Sequence, residues 1–184
     1  HDCMLLACFL KKNNKKWGKV GENPYFWKFL ENIMRFIGTT DAKLDAKGRV
    51  FLPSDFRKQL AESDATFVLK RDVYQPCLVM YTLQVWENEL AVLQSRLDRW
   101  NPKHAMLYRQ FMAGTEVVTL DANGRFLLPR KMAEACHINS RTVRFVGVDD
   151  RIEVWDVEQF DQCMLNDADL AQLMAQEMGG TTLG

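Results

Sequence analysis

Residues 44–53 read Leu-Asp-Ala-Lys-Gly-Arg-Val-Phe-Leu-Pro, and residues 120–129 read Leu-Asp-Ala-Asn-Gly-Arg-Phe-Leu-Leu-Pro. Seven of the ten positions are identical, at an offset of 76 (121 − 45). That spacing is too long for a solenoid unit and suits half of a small domain. A chain built this way is expected to fold with internal two-fold pseudo-symmetry and to present one turn twice.

In each copy a glycine, Gly48 or Gly124, sits between two short β-rich pieces. Glycine tolerates the positive φ that a tight turn demands. Asp45 and Arg49, and likewise Asp121 and Arg125, lie four residues apart across that turn. When the chain folds back, the carboxylate can accept from the guanidinium or from turn amides. One reading is that the two pairs only staple two hairpins. It leaves Lys47, beside Arg49 in an exposed turn, without a role. Arginine can read a guanine edge with two hydrogen bonds, and both arginine and lysine neutralise phosphates. The copies differ at one polar position, Lys47 against Asn123. Asn123 can hydrogen-bond to a base or phosphate but carries no charge, so the first half is expected to make the dominant nucleic-acid contact.

Around the turns the order of elements repeats. The first half has strand pieces at Leu44-Asp45 and 49–52, a helix from Ser54 to Ala61 opened by Pro53, and strands at 66–70 and 77–82. A long amphipathic helix follows at 83–100, with Trp86, Leu90, Leu93, Leu97 and Trp100 at three-to-four spacing. The second half has strands at 116–120 and 125–128, a helix from Pro129 to about Cys136, strands at 142–148 and 151–155, and a helix from 157 to about 165. Trp155-Asp156 stands close to the place of Trp86-Glu87, a few residues out of register. The expected organisation is an extension at 1–33, flexible or non-native, with Met34 as the native start. A first repeat at 34–103 and a second at 104–166 follow, then a polar C-terminal tail at 167–184, helical beyond Asp167 and fading into a frayed end from Gly179.

Bulk properties narrow the function. The 184 residues carry 24 bases and 24 acids. From Arg35 to Leu60 six bases face three acids, a net +3; from Asp149 onward nine acids face Arg151 alone, a net −8. Such asymmetry makes one face a nucleic-acid candidate, although both stretches could equally be solvated faces. The five cysteines are scattered without metal-ligand spacing, and Cys77 and Cys136 read as small core residues in a reducing compartment. No window reaches membrane-spanning length, and Met4–Leu10 lacks a signal cleavage site, so a cytoplasmic protein is expected. His1, His104 and His137 lie outside the repeat, with His104 placed in a linker. Nucleophile-elbow, phosphate-loop and zinc-protease motifs are all missing. No enzyme, cofactor, metal site or small-molecule substrate is expected.

The doubled L-D-x-x-G-R-x-x-L-P, followed in the first copy by Phe56-Arg57 and later by Trp86-Glu87, closely resembles the MraZ family of bacterial transcription regulators, which are AbrB-like in fold. Met34 to Gly38 also looks like that family's start, and the resemblance covers about 34–165. It implies an α+β fold: a pseudo-two-fold β-barrel of two repeated βαββα-like halves, of double-ψ or swapped-hairpin type, with helices outside. It implies a homo-oligomeric ring on tandem boxes of double-stranded DNA, repressing its own division and cell-wall operon and associating with the nucleoid. Carried over by position, the DNA-facing residues are Asp45, Lys47 and Arg49, with Asp121, Asn123 and Arg125 as counterparts. The same barrel occurs in antitoxins that hold a toxin through a C-terminal tail, and the acidic stretch after Asp149 keeps that alternative open. A structural oligomer without a nucleic-acid role is a third.

Overall fold

In the computed structural model of the protein, the described residues are 36–60 and 65–179. The extension at 1–33, the expected native start at Met34 and the tail beyond Gly179 lie outside them. The strands are β1 (Phe36–Lys43), β2 (Arg49–Phe51), β3 (Thr66–Arg71), β4 (Leu78–Thr82), β5 (Thr115–Thr119), β6 (Arg125–Leu127), β7 (Thr142–Asp149) and β8 (Arg151–Asp156). The helices are α1 (Ser54–Arg57), α2 (Leu83–Arg96), α3 (Pro102–Ala113), α4 (Arg130–Ala135), α5 (Val157–Cys163) and α6 (Asp167–Met178). Hydrogen bonding joins the strands into two antiparallel sheets, one of six strands in the order β1-β7-β8-β4-β3-β5 and a ribbon of β2 and β6.

The halves exchange their first strands. β1 pairs with β7 of the second half, and β5 pairs with β3 of the first. The registers match under the repeat: Lys43 faces Thr142, as Thr119 faces Thr66. At the centre, Leu78 faces Val154 and Met80 faces Ile152 across β4 and β8. In the ribbon, Arg49 faces Leu127, Val50 faces Phe126 and Phe51 faces Arg125. The pseudo-two-fold therefore passes between β4 and β8 and through the Val50–Phe126 pair.

Alternation along the strands sends side chains to two layers. Phe67, Leu69, Leu78 and Met80 point to one side of the sheet and join Val50, Leu52, Phe126, Leu128, Phe145, Phe56 of α1 and Met132 of α4 in the main core. Val68, Val79, Tyr81 and Trp155 point to the other side, under Trp86 and Leu90 of α2, Phe111 of α3 and Phe160 of α5. Trp86 stacks on Phe111 at 5.8 Å between centroids.

Two sequence expectations are corrected. The helix begun at Leu83 ends at Arg96, and a separate helix, α3, spans Pro102–Ala113, so His104 stands in a helix. Asn101 caps α3 by accepting from the Lys103 N–H at 3.0 Å, with Pro102 in the first turn. The counterpart of Trp155 is Tyr81, not Trp86: Tyr81 precedes the cap of α2 (Thr82), as Trp155 precedes the cap of α5 (Asp156). Trp86 and Phe160 then correspond, and each contacts its strand aromatic, at 5.7 Å and 5.5 Å. The offset falls from 76 to 74 because Asp149-Asp150 turns more tightly than residues 72–77. The helical stretch expected beyond Asp167 is α6, capped by Asn166, whose side chain accepts from the Asp169 N–H at 2.9 Å.

Phe126 is 2% exposed at the pseudo-symmetry axis, in T-shaped contact with Phe145. Phe126→Ala is expected to cost about 3–5 kcal/mol in urea unfolding. A loss below about 1 kcal/mol would mean that the ribbon does not close the core.

Candidate nucleic-acid interface

Each repeated turn is tied by one carboxylate. Asp45 Oδ1 accepts the backbone N–H groups of Lys47 (2.8 Å) and Arg49 (2.9 Å), while Oδ2 accepts Nε (2.8 Å) and Nη2 (2.7 Å) of the Arg49 guanidinium. The second turn repeats this. Asp121 Oδ1 accepts from Asn123 N (2.9 Å) and Arg125 N (3.0 Å), and Oδ2 accepts from Arg125 Nε and Nη2 (2.9 Å each). Gly48 and Gly124 have φ of 77° and 79°, the left-handed region the turn requires. Both arginines are gripped on the Nε side. Of the five N–H donors of a guanidinium, three remain, on the Nη1/Nη2 end.

The Arg49 backbone N–H is the largest influence holding the Asp45 carboxyl at about 2, below its ordinary value, with the guanidinium and the Lys47 N–H adding to it. Asp121 is lowered in the same way, first by the Arg125 N–H. These bonds depend on the ionised form.

Ribbon register places the turns relative to each other. Leu52 N donates to Gly124 O and Leu128 N to Gly48 O, both at 3.0 Å, so the turns stand four residues apart along the ribbon. At strand rise this is roughly 13 Å. Val50 and Phe126 face the core, so their neighbours Arg49, Phe51, Arg125 and Leu127 all lie on the outer face. The structure brings the two predicted arginines onto one surface, with the Arg125 guanidinium 5.6 Å from the centre of the half-exposed Phe51 ring. Lys47 and Asn123 are exposed at the two turns.

Arg57 of α1 was not assigned to the site from sequence. It reaches across to the second turn, where Nη1 donates to Asn123 O at 3.4 Å. A Cβ on Gly124 would come within 2.5 Å of Arg57 Nη1, whereas one on Gly48 would meet only Leu127, at 3.8 Å. The counterpart of Arg57 at the offset of 76 is Ala133, so nothing equivalent covers the first turn. Arg57 brings a positive charge to the turn in which Asn123 replaces lysine. The pairs Arg57-Lys58 and Arg130-Lys131 are not equivalents: Arg130 is held by Glu134 at 2.8 Å within α4, and Lys58 lies 3.5 Å from Asp55.

A family model described as "MraZ protein, putative antitoxin-like" matches residues 35–110 and again 111–178. The chain belongs to the MraZ family. A relative from Phocaeicola vulgatus, named transcriptional regulator MraZ, is 46% identical over 147 residues, covering 79% of this chain and 95% of the relative. Proteins of the same name from Bacteroides thetaiotaomicron and Christiangramia forsetii are 42% and 34% identical, covering 79% and 80% of this chain and 94% and 95% of theirs. The doubled family match and the exchange of strands between halves describe one duplication, in sequence and in space.

A depressed folded-state carboxyl pKa adds stability above its unfolded value and loses it as pH falls through the folded value. The Asp45 clasp is thus complete above about pH 4 and lost toward pH 2. An NMR titration of the Asp45 side-chain carboxyl carbon is expected to show a midpoint near 2; a midpoint at the ordinary value of 3.8 would mean the clasp is absent in solution.

Proposed function

We propose that the protein is a sequence-specific DNA-binding transcriptional regulator whose two turns face double-stranded DNA. One observation carries this reading. Asp45 and Asp121 grip Arg49 and Arg125 side-on, on a single outer ribbon face, and leave each Nη1/Nη2 end unspent. A fork held by its own carboxylate needs little ordering on binding, and its free end matches the paired acceptors of a guanine edge. Lys47 supplies the unpaired charge for a phosphate beside the first arginine, and Arg57 does so beside the second. In this reading the aspartates position the arginines and touch no DNA themselves, and Asn123 hydrogen-bonds at the weaker turn. In this reading the ribbon and the six-stranded sheet together make the swapped-hairpin barrel that the resemblance implies.

The relatives' name, transcriptional regulator, supports the same class of function. The finer picture is a homo-oligomeric ring on tandem boxes upstream of its own division and cell-wall operon, acting as a repressor at the nucleoid. Weak contacts repeated around a ring become one tight contact through effective concentration. An antitoxin-like role is the second reading, favoured by the family description and by the exposed acidic helix α6. Co-purification of a small basic protein that releases DNA on binding would support it.

Arg49→Ala is expected to weaken promoter binding by about 1–3 kcal/mol per engaged site, and Lys47→Ala to lower the salt slope by about one per lost phosphate contact. Lys47 is the cleaner probe, because its side chain holds no structural bond among the described residues. Gel shifts over a salt series measure both. Wild-type behaviour of the two variants would remove the turns from the DNA contact.

A further inference from the structure

Helix α6 stands alone. Each of its residues, Asp167 to Met178, is exposed, and Leu170, Leu173, Met174 and Met178 recur at helical spacing with 44–68% of their surface open. An isolated helix of 12 residues is marginal in water. An apolar stripe on such a helix is stabilised by burial against another surface. Asp167 and Glu177 share the face of that stripe, one near each end of the helix, Asp169 lies to one side of it, and the helix carries no base.

The corner between α2 and α3 has the opposite character. It encloses a cavity of about 970 Å³ lined by Leu97, Trp100, Tyr108 and Met112, together with Arg99 and Arg109. Trp100 is 87% exposed. Residues 96–109 carry four bases (Arg96, Arg99, Lys103, Arg109) against Asp98, a net +3, and α6 carries −3. None of the four bases forms an ion pair among the described residues. The corner is also pre-shaped: Asp98 N donates to His104 Nδ1 at 3.0 Å, and Gln94 Nε2 donates to the Tyr108 hydroxyl at 3.1 Å. A rigid apolar groove with unspent cations fits an acidic amphipathic helix, and helix and groove occur on the same chain.

We infer that α6 of one copy docks in the α2–α3 groove of a second copy, apolar stripe inward and acids toward Arg99 and Arg109. The inference rests on the oligomer reading above and names its contact. Because groove and helix are different surfaces, the contact is head-to-tail, leaves a free groove and a free helix on each pair, and propagates until it closes into a ring. It lies on elements distinct from the two DNA-facing turns, so assembly leaves them open.

The test uses the full chain at micromolar concentration, with mass read by light scattering after gel filtration. One variant reverses the groove (Arg99→Glu with Arg109→Glu) and another reverses the helix (Asp167→Arg, Asp169→Arg and Glu177→Arg). Each alone is expected to fall to the mass of a single chain, and an equimolar mixture to recover the wild-type mass, since each reversed groove then meets a complementary helix. That recovery also shows both variants to be folded. If wild type is oligomeric and both variants keep its mass, this contact is wrong while the oligomer stands. If wild type is itself a single chain throughout, contact and oligomer reading fall together. If reversal of the helix releases a bound basic protein without changing the self-association, α6 belongs to that partner and the inference is overturned.

Discussion

The pairing of Val50 with Phe126 at the centre of the β2–β6 ribbon governs the rest of the structure. Both side chains are buried, at 0% and 2% exposure, so the register of the ribbon is fixed by the core. A slip of one residue would turn Arg49 and Phe51 inward and expose Val50. The same pairing fixes the distance between the two turns. The surface proposed to meet DNA is thus dimensioned by hydrophobic packing beneath it, contributed equally by the two halves.

On that frame the Asp–Arg pairs serve orientation more than stability. Solvent-exposed ion pairs contribute little to folding, and these arginine side chains are 34% and 24% exposed. What the carboxylates do is collapse two flexible side chains into one direction while closing the backbone turn with their other oxygen. Arg144 shows the contrast. It is held by both Asp41 of β1 and Asp161 of α5, with its side chain 17% exposed, and so ties elements together. All three of its nitrogens are engaged, whereas Arg49 and Arg125 spend only Nε and one Nη2 donor and keep Nη1 whole.

Much of this was legible in the sequence, because short-range chemistry wrote it there. The repeat announced the pseudo-symmetry, and Asp, Gly and Arg at fixed spacing specified the turns. β-rich runs along 66–82 and 142–155 marked the paired strands. What stayed hidden depends on distance or on a shifted count. Arg57 meets Gly124 only because the ribbon pairs β2 of one half with β6 of the other, and no local pattern encodes that reach. The shorter turn at Asp149-Asp150 moved the offset by two and misdirected the match of Trp155. The start of α3, by contrast, was readable in Asn101-Pro102, a cap followed by a first-turn proline; the apolar spacing running on to Trp100 obscured it. The exposure of α6 could not be read from spacing, since an amphipathic stripe signals burial without naming the surface that provides it.

Replacing both arginines by lysine in one chain, Arg49→Lys with Arg125→Lys, separates charge from orientation. The variant keeps the positive charge but has no planar fork for the aspartates to aim. Binding to the chain's own promoter and to random duplex DNA should be compared in parallel by fluorescence anisotropy at fixed salt. The account requires that affinity for random duplex be retained and that preference for the promoter be lost. Undiminished preference in the double variant would contradict it, because the oriented guanidinium forks would then have no part in reading the sequence.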